Sequence, residues 1–166
     1  MKQNDKKINI RFREITKSDD PAVASLVRDN LEAYGLDIPG TAYFDEALDH
    51  LSDLYGKDDC RYYVVIDDSD EVIGGVGFSL CTFIKDAAEL QKLYLADRAK
   101  GAGLGYEMMD FIEDRMRDAG FKVSYLETHS KLETAIHLYE KCGYIEIDRP
   151  EQVIHSTMDK FFKKVL

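Results

Sequence analysis

The stretch that decides the fold runs from residue 88 to residue 119 and reads AELQKLYLADRAKGAGLGYEMMDFIEDRMRDA. Residues 88–95 are largely apolar and are predicted to form a strand. Residues 104–119 are predicted to form an amphipathic helix, because six apolar side chains fall on one stripe at helical spacing: Leu104, Met108, Phe111, Ile112, Met116 and Ala119. The segment 100–105 between them contains three glycines. A strand, a glycine-rich turn and a long helix therefore follow one another directly.

The glycine-rich turn has the properties of an anion site. Glycines let the backbone turn tightly and approach a ligand closely, and the start of a helix offers unpaired N–H groups and a positive dipole end. A pyrophosphate suits such a site. A Walker A loop is excluded because Tyr106 follows Gly105, and a dinucleotide loop because the spacing is GxGxG rather than GxGxxG. Taken alone, the turn is equally consistent with a plain strand-to-helix connection.

The residues before this stretch predict strands and two helices. Residues 8–15 alternate as in a strand, and Asp20-Pro21 opens a helix that ends at Gly35. A second helix is predicted from Asp45 to Gly56. A hairpin follows, with strands over 62–66 and 71–80.

The residues after it predict three strands and one more helix. Residues 123–128 form a strand, and Ser130-Lys-Leu-Glu133 matches a capping box that opens a helix ended by Gly143. Strands over 144–147 and 156–165 complete the chain. The order β-α-α-β-β-β-α-β-α-β-β indicates an α/β (mixed α+β) fold with a mixed sheet covered by helices.

Composition narrows the class of protein. With 166 residues the chain is expected to be a single domain, 1–166. The net charge of −10 argues against a nucleic-acid binder and is compatible with either a cationic substrate or simple solubility. No apolar run is long enough to span a membrane, and no leader is recognisable, so we expect a cytoplasmic protein. The three scattered cysteines and the histidines suggest no metal site.

Two segments together resemble the GCN5-related N-acetyltransferase (GNAT) family. The first is the strand, glycine loop and helix over 89–109, which is similar to the family's Gln/Arg-x-x-Gly-x-Gly/Ala segment for acetyl-CoA. The second, Ala135-Ile-His-Leu-Tyr-Glu-Lys-Cys-Gly-Tyr144, resembles the family signature A-x-x-L-Y-E-K-x-G-F. The resemblance implies a mostly antiparallel twisted sheet of about seven strands flanked by about four helices. The N-terminal third matches only in the order of its elements.

This sequence departs from the family pattern at two positions. Lys100 stands where the family has Gln or Arg, although a register starting at Arg98 fits the pattern literally; we prefer Lys100 because it keeps the usual spacing from the strand. Leu132 stands where the family often has an Asn that helps to hold the pantetheine arm. That task then passes to backbone groups or to Ser130.

The resemblance implies acetyl-CoA as co-substrate and assigns residues to it. The pyrophosphate is expected on the amides of Gly101, Ala102, Gly103, Leu104 and Gly105, with Lys100 near a phosphate. The thioester is expected beside the backbone of Leu93, Tyr94 and Leu95. No metal is implied.

Two side chains are expected to move protons in amine acetylation. Tyr139 matches the tyrosine that protonates the CoA sulfur in many relatives, and it also fits a core position. Glu89 matches a strand glutamate that acts as general base in one branch, if burial raises its pKa. Glu127 is the alternative base, followed by His129 and His155, whereas His50 and His137 are expected to face solvent.

The acceptor is expected to be a small-molecule or protein amine, bound by the 34–44 segment and by the strand after Gly143. Tyr34, Tyr43 and Phe44 are candidates to line that pocket. The resemblance also favours a homodimer. Three other functions stay open: a non-catalytic acyl-CoA sensor, an enzyme using a longer acyl group, and a nucleotide-binding regulatory domain.

Overall fold

The protein is described by a computed structural model over residues 7–154 and 156–166. Its centre is one seven-stranded sheet in the order β1-β2-β3-β4-β5-β7-β6. Only the β4–β5 pair is parallel, and the other neighbours are antiparallel. The strands are β1 (Arg11–Glu14), β2 (Cys60–Ile66), β3 (Val72–Leu80), β4 (Ala87–Leu95), β5 (Val123–Thr128), β6 (Ile145–Ile147) and β7 (Lys160–Val165). The predicted mixed sheet is confirmed, including the number of its strands.

In the part of the chain that the structure describes, three α-helices cover the sheet: α1 (Asp20–Ala33), α2 (Leu104–Asp118) and α3 (Glu133–Lys141). Two residues of the predicted apolar stripe of α2 differ from the prediction, since Phe111 is half-buried and Ala119, just past the helix, is exposed. The other four, Leu104, Met108, Ile112 and Met116, are buried as predicted. These residues pack with α3 on one face of the sheet. The other face is covered by α1, whose Val23, Val27 and Leu31 pack against β2.

The predicted second helix is wrong in type. Residues Glu46–Leu54 form 3-10 turns rather than an α-helix, and the backbone at His50 is non-helical (φ −130°, ψ 38°). Leu48 and Leu51 are nevertheless buried against α1. The i, i+3 spacing that these leucines share is also the period of a 3-10 helix, so the pattern alone does not separate the two.

The predicted capping box before α3 is also wrong. Leu132 is the N-terminal flanking residue of α3, and no side chain caps the helix. The Ser130 amide and hydroxyl both donate to the Asp159 carboxylate, each at 2.7 Å. Because Asp159 lies just before β7, these hydrogen bonds link the loop before α3 to the loop before β7. Ser130 therefore does not cap the helix.

Two features of β4 shape the region that follows. First, β4 pairs with β5 only over Ala87–Glu89 and Val123–Tyr125, so the second half of β4 separates from β5. Second, the pairing with β3 contains a bulge. Gly77 opposes Gln91 and Gly75 opposes Tyr94, which places one extra residue in β4, and Lys92 there has φ +48°.

Candidate functional site

A cavity of about 550 Å³ opens where β4 and β5 separate. Its walls come from the second half of β4, the glycine loop with the start of α2, the end of β5, and α3. The predicted residues Leu93, Tyr94, Leu95, Lys100, Gly101, Gly103, Leu104, Gly105 and Tyr139 all line this cavity. Two segments that are about 40 residues apart in sequence therefore form one site.

The glycine loop ends the cavity with a row of unpaired amides. Gly101 and Gly103 have φ of +81° and +76°, and Gly103 flanks the first turn of α2. The backbone N–H groups of 101–105 donate to no acceptor among the described residues, and the first paired amide is that of Tyr106, which donates to the Gly103 carbonyl at 3.2 Å. Five consecutive donors at the positive end of a helix fit a pyrophosphate. Ala102 belongs to this row although it does not line the cavity.

Lys100 connects the loop to α1. Its ammonium donates to Asn30 Oδ1 at 3.0 Å and to Asp97 Oδ1 at 2.9 Å, and lies 5.9 Å from the centre of the Tyr34 ring. Arg98, the other candidate from the sequence, instead pairs with Asp67 and Glu71 and does not line the cavity. The geometry favours Lys100 as the basic residue of the loop.

Tyr139 is a core residue and a cavity residue at once. Its ring packs near Tyr144 and Phe162, and 6% of the residue is exposed. Burial raises the pKa of its hydroxyl above the ordinary value, and the neighbouring Tyr94 adds to that shift. The pKa of Tyr94 is itself raised to about 12 by burial. The Tyr139 hydroxyl therefore keeps its proton at neutral pH, which is the form that a proton donor needs, although the raised pKa makes it a weaker acid than an ordinary tyrosine.

Two carboxylates lie on the α1 side of the β4–β5 gap. Glu89 pairs with Tyr125 across the parallel strands, so Glu127, two residues further along β5, lies on the same face. Burial and the charge of Glu127 raise the pKa of Glu89 to about 7, while Gln91 opposes the shift. Burial also raises the pKa of Glu127. Glu127 lines the cavity, whereas Glu89 lies beside it.

Several other predicted residues lie outside the cavity. Ser130 is exposed and bonded to Asp159, so the structure does not bring it to the site. His129 accepts from the Lys131 amide at 3.1 Å and does not line the cavity. His155 lies outside the described residues. His50 and His137 are both exposed, and His137 contributes to the cavity wall.

The three aromatic residues predicted for the acceptor pocket have different positions. Tyr34 lines the cavity. Tyr43 donates its hydroxyl to Glu32 at the surface, and Phe44 is 61% exposed. Only Tyr34 therefore lies where the prediction put it.

Lys92, which was not predicted from the sequence, lines the cavity from the bulge of β4. Its side chain shares a face with Glu89 only because of the bulge, which strand periodicity does not reveal. The one signal available was a lysine beside Gln91 in a largely apolar strand that also contains Glu89. A bulge is set by pairing with β3, where Gly74, Gly75 and Gly77 lie.

Within 7–154 and 156–166, no helix is long and apolar enough to cross a bilayer. The same residues contain no group of three or more His, Cys, Asp or Glu side chains suited to a metal ion.

Comparison with known proteins gives one matching family model and a related protein. Residues 23–144 match the family model described as "Acetyltransferase (GNAT) family". The chain is 37% identical over 139 residues to the uncharacterized N-acetyltransferase YjgM of Escherichia coli strain K12, covering 82% of this chain and 83% of that protein.

Two solved structures share the fold at low sequence identity. A GNAT-family acetyltransferase from Staphylococcus aureus Mu50 superimposes with a TM-score of 0.83 at 15% identity, over 95% of this chain and 99% of the other. The PaiA N-acetyltransferase of Thermoplasma acidophilum, solved in complex with coenzyme A, gives a TM-score of 0.74 at 17% identity over the same shares.

Proposed function

The chain belongs to the GNAT acetyltransferase family and is an N-acetyltransferase, and from that premise we propose which residues bind acetyl-CoA and which move protons. The observation that carries the proposal is the cavity between the separated strands, which ends at the glycine loop, where the five amides of 101–105 have no acceptor among the described residues. We place the pyrophosphate on the amides of 101–105, with Lys100 adding a positive charge. The apolar wall formed by Leu93, Leu126 and Leu138 suits the pantetheine arm.

The transfer needs one base and one acid. Glu89 accepts a proton from the acceptor's ammonium, which leaves a neutral nitrogen with a free electron pair. That pair forms the new C–N bond at the thioester carbonyl carbon, and the C–S bond then breaks. Tyr139 gives its proton to the departing sulfur and is reprotonated as the amide nitrogen loses its second proton. One proton is released per transfer, and no covalent intermediate on the protein is required.

Glu127 is a second carboxylate at this site. Because its charge keeps the pKa of Glu89 high, it tunes the base and attracts the cationic amine. A cytoplasmic location, which rests on the sequence analysis, and a homodimer, which rests on the family resemblance, belong to the same proposal.

The direct test is acetyl transfer by the purified protein. Free thiol release from acetyl-CoA is followed across a panel of amines, and the acetylated product is identified by mass. Acceptor-dependent release with a mass increase of one acetyl group is expected. Binding of acetyl-CoA without release on any amine would favour a non-catalytic acyl-CoA sensor, and a heavier product would indicate a longer acyl group.

Gly103→Ala is expected to weaken acetyl-CoA binding by roughly tenfold or more, because an alanine resists φ +76° and turns the loop amides away from the phosphates. Gly120→Ala is the matched control. Gly120 has φ +93°, follows the C-terminal end of the same helix and, like Gly103, has open space where a Cβ would stand. Calorimetry should show the loss of affinity only for Gly103→Ala. Equal affinities of the two variants would contradict the placement of the pyrophosphate.

Tyr139→Phe is expected to lower kcat by about 10- to 100-fold with little change in acetyl-CoA affinity, because the acid is lost while the packing is kept. Tyr63→Phe serves as control, since Tyr63 is partly buried on β2 away from the cavity. Steady-state kinetics at saturating acetyl-CoA provide the measurement. An unchanged kcat would assign the protonation of sulfur to another group.

A further inference from the structure

Lys92 is half-buried, and its ammonium contacts no group of opposite charge among the described residues. It lines the cavity, yet among the described residues it forms no ion pair and donates no side-chain hydrogen bond. Burial lowers its pKa, while the charges of Asp45 and Glu89 oppose that shift. A partly buried charge without a partner is less well stabilised than one that is paired with an opposite charge. Such a side chain in a cleft is a candidate for binding a ligand of opposite charge.

The bulge in β4 determines the face of the sheet on which the Lys92 side chain lies. In a regular strand, residues three apart point to opposite faces. The extra residue between Gln91 and Tyr94 breaks that alternation. Lys92 and Glu89 therefore influence each other electrostatically from the same side of the sheet. The Tyr62 hydroxyl fixes the bulge by donating to the Lys92 carbonyl at 2.8 Å.

Binding of the CoA phosphates does not explain the position of Lys92 in the cavity. The amides at 101–105 lie beyond the end of β4, whereas Lys92 lies before the 93–95 segment that we assign to the thioester. The charged groups that influence Lys92 are Asp45 and Glu89 on the α1 side, where we place the acceptor. The acceptor end of the cavity thus offers a cation, Lys92, beside two carboxylates, Glu89 and Glu127.

A pocket with both signs of charge at close range suits a dipolar ligand. We propose that the acceptor is a free amino acid, whose carboxylate binds the Lys92 ammonium while its amine lies between Glu89 and the thioester. In an amino acid the two charges are separated by one or a few carbon atoms, which matches two neighbouring sites on one strand. A polyamine has no anionic group for Lys92 and is repelled by it. The inference rests on the proposed function and adds the acceptor class to it.

The test compares acceptors that differ only in the carboxylate. Each proteinogenic amino acid is assayed for thiol release beside its α-amide and its decarboxylated amine, with spermidine as a carboxylate-free reference. We expect at least one free amino acid to exceed both of its analogues in kcat/KM by about 10-fold or more. Lys92→Gln should lower kcat/KM for that amino acid by about 10- to 100-fold, mainly through KM, and leave the analogues little changed.

Two further variants complete the design. Lys92→Arg should recover part of the preference for the free amino acid, because it restores the charge. Lys85→Gln removes an exposed lysine and should change nothing. Acetyl-CoA affinity of all variants, measured by calorimetry, should match that of the unmodified protein.

Three outcomes overturn the inference: equal losses on amino acids and analogues in Lys92→Gln, higher kcat/KM on the analogues in the unmodified protein, or transfer to no free amino acid. Transfer to carboxylate-free amines with normal acetyl-CoA binding would leave the proposed function standing. Failure of acetyl-CoA to bind would remove both.

Discussion

Glu89→Gln is expected to lower kcat/KM by about 100- to 1,000-fold, because it replaces the base with a group that cannot accept the amine proton. The amide keeps the size of the side chain and its place in β4, so acetyl-CoA affinity should hardly change. Glu140→Gln is the control, since Glu140 is exposed on α3 and does not line the cavity. Steady-state kinetics and calorimetry on the same preparations separate the two effects.

The pH profile gives an independent readout of the same residue. The pKa of Glu89 is raised to about 7, and only the deprotonated carboxylate acts as a base. In the unmodified protein, kcat/KM should therefore fall as the pH drops through about 7. Glu89→Gln should remove this acidic limb. A limb that persists unchanged in the variant would assign the base to another group, with Glu127 the first candidate.

Tyr62→Ala is expected to lower the free energy of unfolding by about 3–5 kcal/mol, because it opens a cavity beneath α1. Tyr62 is 1% exposed and packs against Gly75 and Gly77 of β3. A Cβ on Gly77 would lie 2.5 Å from the Tyr62 ring and 2.7 Å from the Arg61 carbonyl. The ring occupies space that exists only because these residues are glycines.

Tyr62→Phe isolates the hydroxyl, which donates to the Lys92 carbonyl. It is expected to cost about 1 kcal/mol of stability. Because the bulge loses its anchor, KM for the acceptor should also rise. Phe44→Ala, at a residue that is 61% exposed, should stay within about 0.5 kcal/mol of the unmodified protein. Denaturant unfolding followed by circular dichroism gives these values, and a loss below about 1 kcal/mol in Tyr62→Ala would contradict this account.

Local patterns in the sequence determined most of the fold. Several of these patterns act within a few residues: the apolar stripe of α2, the glycines that end the helices and the β-branched run of β2. The element that each pattern forms can therefore be predicted from residue spacing. The glycine loop was predictable for the same reason, since strand, turn and helix start are contiguous. Where one pattern suits two structures, as at Leu48 and Leu51 in the 3-10 segment, the sequence could not choose.

Only the tertiary structure determined the electrostatic environment of the site residues. The pKa of Glu89 is raised to about 7 because the fold buries the carboxyl away from water and because β5 brings Glu127 alongside it. Lys92 shares the side of Glu89 because glycines of β3, facing Tyr62, allow a bulge in β4. Ser130 does not cap α3 because it hydrogen-bonds to the carboxylate of Asp159, 29 residues away in the sequence. Each depends on contacts between distant segments, so burial and charge at this site follow from the fold and not from local sequence.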